Sequence, residues 1–136
     1  MDSLETGDLL LFNNHSSGFF GIFTSMIKWG THSNYSHTGI ILKDPVFINP
    51  SLKGLYVWES SYNGKPDPQD NRVKIGVQIT PLYELIEKYK KTGGSAYIRK
   101  VKSTTVIPIK EIFNDEVLNN IHKVVYNKPY DIIPTD

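Results

Sequence analysis

Hydrophobic and polar residues alternate, or gather in short apolar runs, in several segments of the chain. Each run is bounded by glycine, proline, asparagine or aspartate, and its length is typical of a β-strand. The pattern predicts strands at 9–12, 36–42, 55–61, 74–79 and 96–101.

Other segments repeat their apolar residues at the spacing of a helix face. This pattern predicts helices at 19–27, from 81 to about 89 and from 109 to about 126. Thr80 and Pro81 resemble an N-cap followed by proline at the first helical position, so the middle helix is expected to begin there.

The first predicted helix carries an apolar stripe that includes Phe19 and Phe23. We expect the stripe to pack in the core, but it could also line an apolar substrate groove or touch a membrane surface. Phe19 and Phe23 are therefore candidate substrate-binding residues, and a peripheral membrane contact stays open.

Composition and charge narrow the class of protein. A length of 136 residues fits one domain, and 39% hydrophobic residues are enough for one core. A net charge of +1 gives no support for nucleic-acid binding. The chain begins without a signal-peptide pattern, and no apolar run reaches the ~18 residues of a membrane span. We expect a cytoplasmic protein without a cofactor, and its oligomeric state is not predicted.

A histidine and a carboxylate stand on neighbouring predicted strands. If these strands form an antiparallel hairpin with Ile41 opposite Leu55, then His37 lies opposite Glu59 on one face of the sheet. Directly opposed residues are close enough for an imidazole–carboxylate hydrogen bond. In this register Gly39 would leave open space beside the ring, which makes it a candidate substrate contact.

Five short motifs lie along most of the chain: Gly7–Phe12, Ser36–Ile40, Trp58–Ser60, Val77–Leu82 and Lys128–Asp131. Together they resemble the circularly permuted branch of the NlpC-type, papain-like hydrolases of bacteria and large DNA viruses, including poxviruses. The resemblance implies an α+β, papain-like fold, with an antiparallel sheet of about five to six strands packed against helices. It also implies that His37 is a general base and that Glu59 orients it.

The resemblance also implies a cysteine nucleophile shortly after the Pro-Tyr-Asp segment, and the chain contains no cysteine. A lost nucleophile costs on the order of 10⁶ in turnover in a serine triad, so the chain as given is expected to be inactive alone. We expect the cysteine after Asp136, which makes 1–136 a single papain-like domain without its C-terminal segment. A degraded site and a serine replacement are weaker explanations.

The resemblance to this class indicates a thiol hydrolase acting on a small-molecule, peptide or lipid-like amide or ester. Tyr35 is a candidate helper of the oxyanion because it is close to His37 in sequence. The alternative is a non-catalytic binding module that keeps the papain-like scaffold. A zinc site of His32, His37 and Glu59 is disfavoured because their spacing fits no zinc motif, and His15 and His122 look like isolated surface residues.

Overall fold

Five strands and three helices follow one another in the part of the chain that the structure, a computed structural model, describes: residues 3–13 and 37–129. All five strands predicted from alternation are present, and their ends differ from the prediction by at most two residues. In chain order the elements are β1 Leu9–Asn13, β2 His37–Lys43, β3 Leu55–Ser61, β4 Gly76–Pro81, α1 Leu82–Lys91, β5 Ser95–Arg99, α2 Ile109–Ile112 and α3 Asp115–Val125.

The described strands form one five-stranded sheet in the order β4-β3-β2-β1-β5, and every pair of neighbours is antiparallel. An antiparallel sheet packed with helices is an α+β arrangement, as the sequence predicts. The strands β1 and β5 are far apart in sequence, yet they pair along their whole length, so β1 becomes an interior strand. The strand that carries His37 therefore lies at the centre of the sheet.

Helices cover both faces of the sheet. On the α1 face, Leu85 and Tyr89 of α1 pack against buried Phe12 and Val57. We call the opposite side the α3 face, where Leu118 of α3 packs with Leu42, Trp58 and Ile79. Because successive strand residues point to opposite faces, His37, Gly39 and Ile41 belong to the α1 face and Thr38, Ile40 and Leu42 to the α3 face.

The predicted register of the central hairpin is wrong by two residues. Ile41 lies opposite Val57, and Leu55 lies opposite Lys43. The turn sets this register: Asp44 and Gly54 are joined by a backbone hydrogen bond of 2.8 Å, and the Gly54 amide also donates to the Asp44 carboxylate at 2.6 Å. A shift of two residues, unlike a shift of one, leaves each side chain on its predicted face.

The starts of two helices differ from the prediction. Thr80 does not cap α1, because it is a buried residue of β4 whose hydroxyl accepts a hydrogen bond from Asn63, and Pro81 is the N-cap without a side-chain bond. The predicted helix from 109 to 126 is two helices, since Phe113 breaks it and Asn114 caps the second by accepting from the Val117 amide. No helix in the described ranges is long and apolar enough to cross a bilayer.

Candidate functional site

His37 and Glu59 form a hydrogen-bonded pair on the α1 face of the sheet. The imidazole Nε2 lies 2.9 Å from Glu59 Oε1. The side chain of Glu59 is 2% exposed, whereas that of His37 is 19% exposed. The carboxylate is therefore buried, whereas the ring keeps some contact with solvent. This asymmetry is what an oriented general base requires.

The pair forms across a diagonal of the hairpin. Continuing the register from the Ile40–Trp58 pair places Gly39 opposite Glu59, and His37 one pair further along on the same face. Diagonal neighbours in a sheet are ~7–8 Å apart at their backbones, which long side chains can bridge. The sequence prediction that His37 and Glu59 meet is confirmed, although they are not directly opposed.

Two aromatic rings on the α1 face fix the plane of the imidazole. Phe12 pairs with His37 across β1 and β2, and the rings stack with centroids 5.5 Å apart and planes 20° apart. Tyr89 of α1 also stacks on Phe12, with centroids 4.2 Å apart and planes 11° apart. Neither residue was predicted from the sequence. The pairing of β1 with β2 would have identified Phe12, but nothing local in the sequence points to Tyr89.

The hydroxyl of Tyr89 stays protonated close to the pair. Burial, and then the negative charge of Glu59, raise the pKa of Tyr89 far above its ordinary value. A neutral phenol adds no competing negative charge beside the imidazole. The carboxylate of Glu59 is therefore the negatively charged partner of the imidazole.

The pair determines which ring nitrogen can act. An ionised carboxylate only accepts hydrogen bonds, so His37 must donate from Nε2, and in the neutral ring the lone pair is then on Nδ1. A group that touches Nδ1 could transfer a proton to it, and Glu59 would stabilise the imidazolium that results. The arrangement can thus perform general base chemistry through Nδ1.

The prediction of open space at Gly39 is wrong. A Cβ atom placed on Gly39 would overlap Cγ1 of Val57 and would come within 3.2 Å of the Trp58 carbonyl oxygen and 3.5 Å of Cβ of Glu59. Glycine is needed here because β2 and β3 approach closely, not because a substrate needs room beside the ring. A contact between Gly39 and a substrate stays a prediction.

Several predicted residues lie outside the described ranges. These include Phe19, Phe23 and Tyr35, together with the histidines His15 and His32. Within residues 3–13 and 37–129, no group of three or more metal-ligating side chains is arranged to hold an ion. The zinc trio that the spacing disfavours includes His32 and so lies partly outside the described residues.

His122 is not the isolated surface residue that its position in the sequence suggested. Its Nε2 is 2.7 Å from Oε1 of Gln69, and its ring contacts those of Phe47, Trp58 and Tyr126. Burial lowers the pKa of His122. This histidine joins α3 to the loop before β4 and lies on the other face of the sheet from His37.

An apolar cavity of about 380 Å³ lies on the α3 face. Its volume is in the range of small-molecule sites. Gly39 and Glu59 also reach its wall, but at positions whose side chains belong to the α1 face, and His37 does not line it. The apolar residues of the wall include Leu9, Ile40, Trp58, Val77, Phe113 and Ile121.

The described chain is thus an α+β protein in which a five-stranded antiparallel sheet carries an imidazole on a buried carboxylate. No protein-family model matches the sequence, and no curated protein matches it either. The chemistry of the site is therefore the basis on which a function can be proposed.

Proposed function

We propose that the protein is a thiol hydrolase of the papain-like class, in which His37 is the general base and Glu59 orients it. The nucleophile in this proposal is a cysteine after Asp136. The observation that carries the proposal is the 2.9 Å hydrogen bond from His37 to a carboxylate that is 2% exposed, with the imidazole itself 19% exposed. A partly exposed imidazole held by a buried carboxylate is the arrangement that an oriented general base requires.

The ring nitrogen that bonds to Glu59 supports the role of His37 as the general base. Glu59 occupies Nε2, so Nδ1 is the nitrogen that would take the proton from the cysteine thiol. The stack with Phe12 keeps the ring from rotating, and the position of the lone pair is therefore fixed before a substrate binds.

The proposed reaction has two steps. The thiol proton passes to Nδ1 of His37, the thiolate attacks the carbonyl carbon of an amide or ester, and the imidazolium returns the proton to the amine or alcohol that leaves. Water then attacks the acyl-cysteine with Nδ1 as the base, and the carboxylic acid and the thiol are released. Backbone amides near the nucleophile, with Tyr35 as a candidate helper, would stabilise the oxyanion.

The substrate class is a small-molecule, peptide or lipid-like amide or ester. Burial of Glu59 gives its charge an environment of low dielectric, in which the stabilisation of an imidazolium is stronger than in water. This favours reactions in which the histidine becomes charged in the transition state, as acyl transfer requires.

The test is to produce the protein with its reading frame continued past Asp136 and to treat it with a thiol-directed acyl probe. We expect labelling of one cysteine, which His37→Ala abolishes and His122→Ala, the matched change of the other described histidine, leaves intact. Labelling that His37→Ala leaves unchanged would contradict the role of His37.

The second candidate is a binding module without catalysis, and the lack of cysteine in all 136 residues favours it. It predicts that the continued reading frame contains no cysteine that the probe labels. The apolar cavity of about 380 Å³ on the α3 face would then be the feature to test for ligands.

A further inference from the structure

Within the described residues, three polar atoms on the α1 face of β3 and β4 are buried without a hydrogen-bond partner. They are Oε2 of Glu59, Oγ of Ser61 and Oε1 of Gln78. Glu59 is 5% exposed and Gln78 is fully buried. Buried polar atoms are almost always paired, so three unpaired atoms in one place indicate that a partner binds among them.

The sheet places the three side chains beside one another on one face. Glu59 and Gln78 are directly opposed across β3 and β4, and residues in this position have Cβ atoms ~4.5–5.5 Å apart. Ser61 is two residues beyond Glu59 on the same strand, and its side chain therefore belongs to the same face.

The orientation of the Gln78 amide is fixed by its nitrogen. Nε2 donates to the carbonyl oxygens of Ser61 at 2.6 Å, Lys74 at 3.3 Å and Gly76 at 3.4 Å. Turning the amide round would place Oε1 against these carbonyl oxygens, which cannot donate to it. Oε1 is therefore an acceptor that needs a donor, and Oε2 of the Glu59 carboxylate has the same need.

We propose that one buried water molecule binds among Glu59, Ser61 and Gln78. It donates one hydrogen bond to Oε2 of Glu59 and one to Oε1 of Gln78, and it accepts one from the hydroxyl of Ser61. The two O–H groups and the lone pairs of water match two acceptors and one hydroxyl, and about three hydrogen bonds are usual for a buried water.

A hard metal ion fits the site less well. Such ions take six or more oxygen ligands, whereas the three unpaired atoms supply half that number at a place where little solvent reaches. A protonated Glu59 that donates directly to Gln78 would satisfy two of the atoms but would leave the Ser61 hydroxyl without a partner.

The water makes Ser61 and Gln78 positioning residues for Glu59. Oε1 of Glu59 is bound to the imidazole and Oε2 of Glu59 is bound to the water, so the carboxylate cannot rotate away from His37. This role in catalysis rests on the proposed function. The water site itself does not, because the hydrogen bonds within the described residues would need it whether or not the protein is an enzyme.

The test compares Ser61→Val with Ser60→Val, the same change on the neighbouring residue, which faces the other side of β3. Crystal structures that resolve ordered water should show a wild-type oxygen at ~2.6–3.2 Å from Oε2 of Glu59 and Oε1 of Gln78. Ser61→Val should remove it and Ser60→Val should keep it. If Ser61→Val does not fold, Ser61→Ala replaces it, with Ser60→Ala as its control.

Nuclear magnetic resonance of the His37 Nε2 proton gives a second measurement. We expect Ser61→Val to make this proton exchange with solvent roughly tenfold faster, because a carboxylate held at one oxygen only is free to rotate. Three crystallographic results would overturn the proposal: no water peak, contacts of ~2.0–2.5 Å that indicate a metal ion, or a direct Glu59–Gln78 hydrogen bond. Equal exchange rates of the His37 proton in the two valine variants would also overturn it. Loss of probe labelling in the hydrolase test, by contrast, would leave these measurements unaffected.

Discussion

The close approach of β2 and β3 at Gly39 gives a prediction whose size follows from the structure. Gly39→Ala adds one Cβ atom that would overlap Cγ1 of Val57, well inside the ~3.5–4.0 Å of an ordinary carbon contact. It would also stand 3.2 Å from the carbonyl oxygen of Trp58. The side chain of Val57 can rotate, but the carbonyl oxygen belongs to the backbone of β3 and cannot move by itself.

The cost should be that of overpacking a core that has no spare room. Val57 is fully buried, so any rotamer that removes Cγ1 from the new atom must displace other core atoms. Overpacking of this kind typically costs about 1–3 kcal/mol, and we expect Gly39→Ala to lower the free energy of unfolding by about 2 kcal/mol. The melting temperature should fall by roughly 4 °C for each kcal/mol lost.

The assay is urea denaturation of a double-mutant cycle with Val57→Ala, which removes the Cγ1 atom that the new Cβ would overlap. Val57→Ala alone should cost about 2 kcal/mol, because it removes two buried methyl-sized groups. The double variant should be more stable than the sum of the two losses predicts, by about 1 kcal/mol or more. Strict additivity, or a Gly39→Ala variant as stable as the wild type, would refute the reasoning about the contact.

Three further predictions concern charged groups. Glu59→Gln keeps the shape of the side chain but loses its charge, and it should reduce probe labelling of the protein continued past Asp136 on the order of 10⁴-fold. The ring nitrogens of His37 should then show mixed tautomers by NMR, and a single Nε2–H tautomer would contradict this. Lys74→Met should lower the free energy of unfolding by about 3 kcal/mol, because it removes the cation 2.7 Å from fully buried Asp67. Asp67→Asn in the same chain should recover part of the loss. Equal stability of Lys74→Met and the wild type would refute this prediction. Burial lowers the pKa of His122, so the unfolded chain takes up a proton near pH 6.5 that the folded protein resists. The contribution of neutral His122 to stability is therefore present above that pH and is lost as the pH falls below it. The melting temperature should fall as the pH is lowered through this region, and less steeply in His122→Gln; an equal slope would contradict the assignment.

The faces of the central strands could be predicted because burial and alternation carry the same information. His37 and Glu59 each lie among apolar positions of period two, so a sequence that buries Ile41 and Val57 must place both polar residues on the same side. Their pairing therefore withstood an error of two residues in the register. An error of one would have separated them.

What could not be predicted depends on contacts between distant residues. The register is set by Asp44 and Gly54, which meet only because the intervening loop folds back. Thr80 has the residue type of a cap, but its hydroxyl instead accepts a hydrogen bond from Asn63, in the loop that follows β3. His122 looks exposed from its neighbours in sequence, and the loop residue Gln69 that binds it is supplied from another part of the chain.

The two faces of the sheet separate acid–base chemistry from apolar binding. Alternation places His37 on the α1 face and Ile40 on the α3 face, so a ligand in the apolar cavity is separated from Nδ1 by the sheet itself. The cavity therefore cannot hold the reacting carbonyl of a substrate while His37 acts on it. It follows that the apolar character of the cavity is no argument for a lipid-like substrate. The choice among amides and esters must be made by groups on the α1 face, beside the ring that Phe12 and Glu59 hold in place.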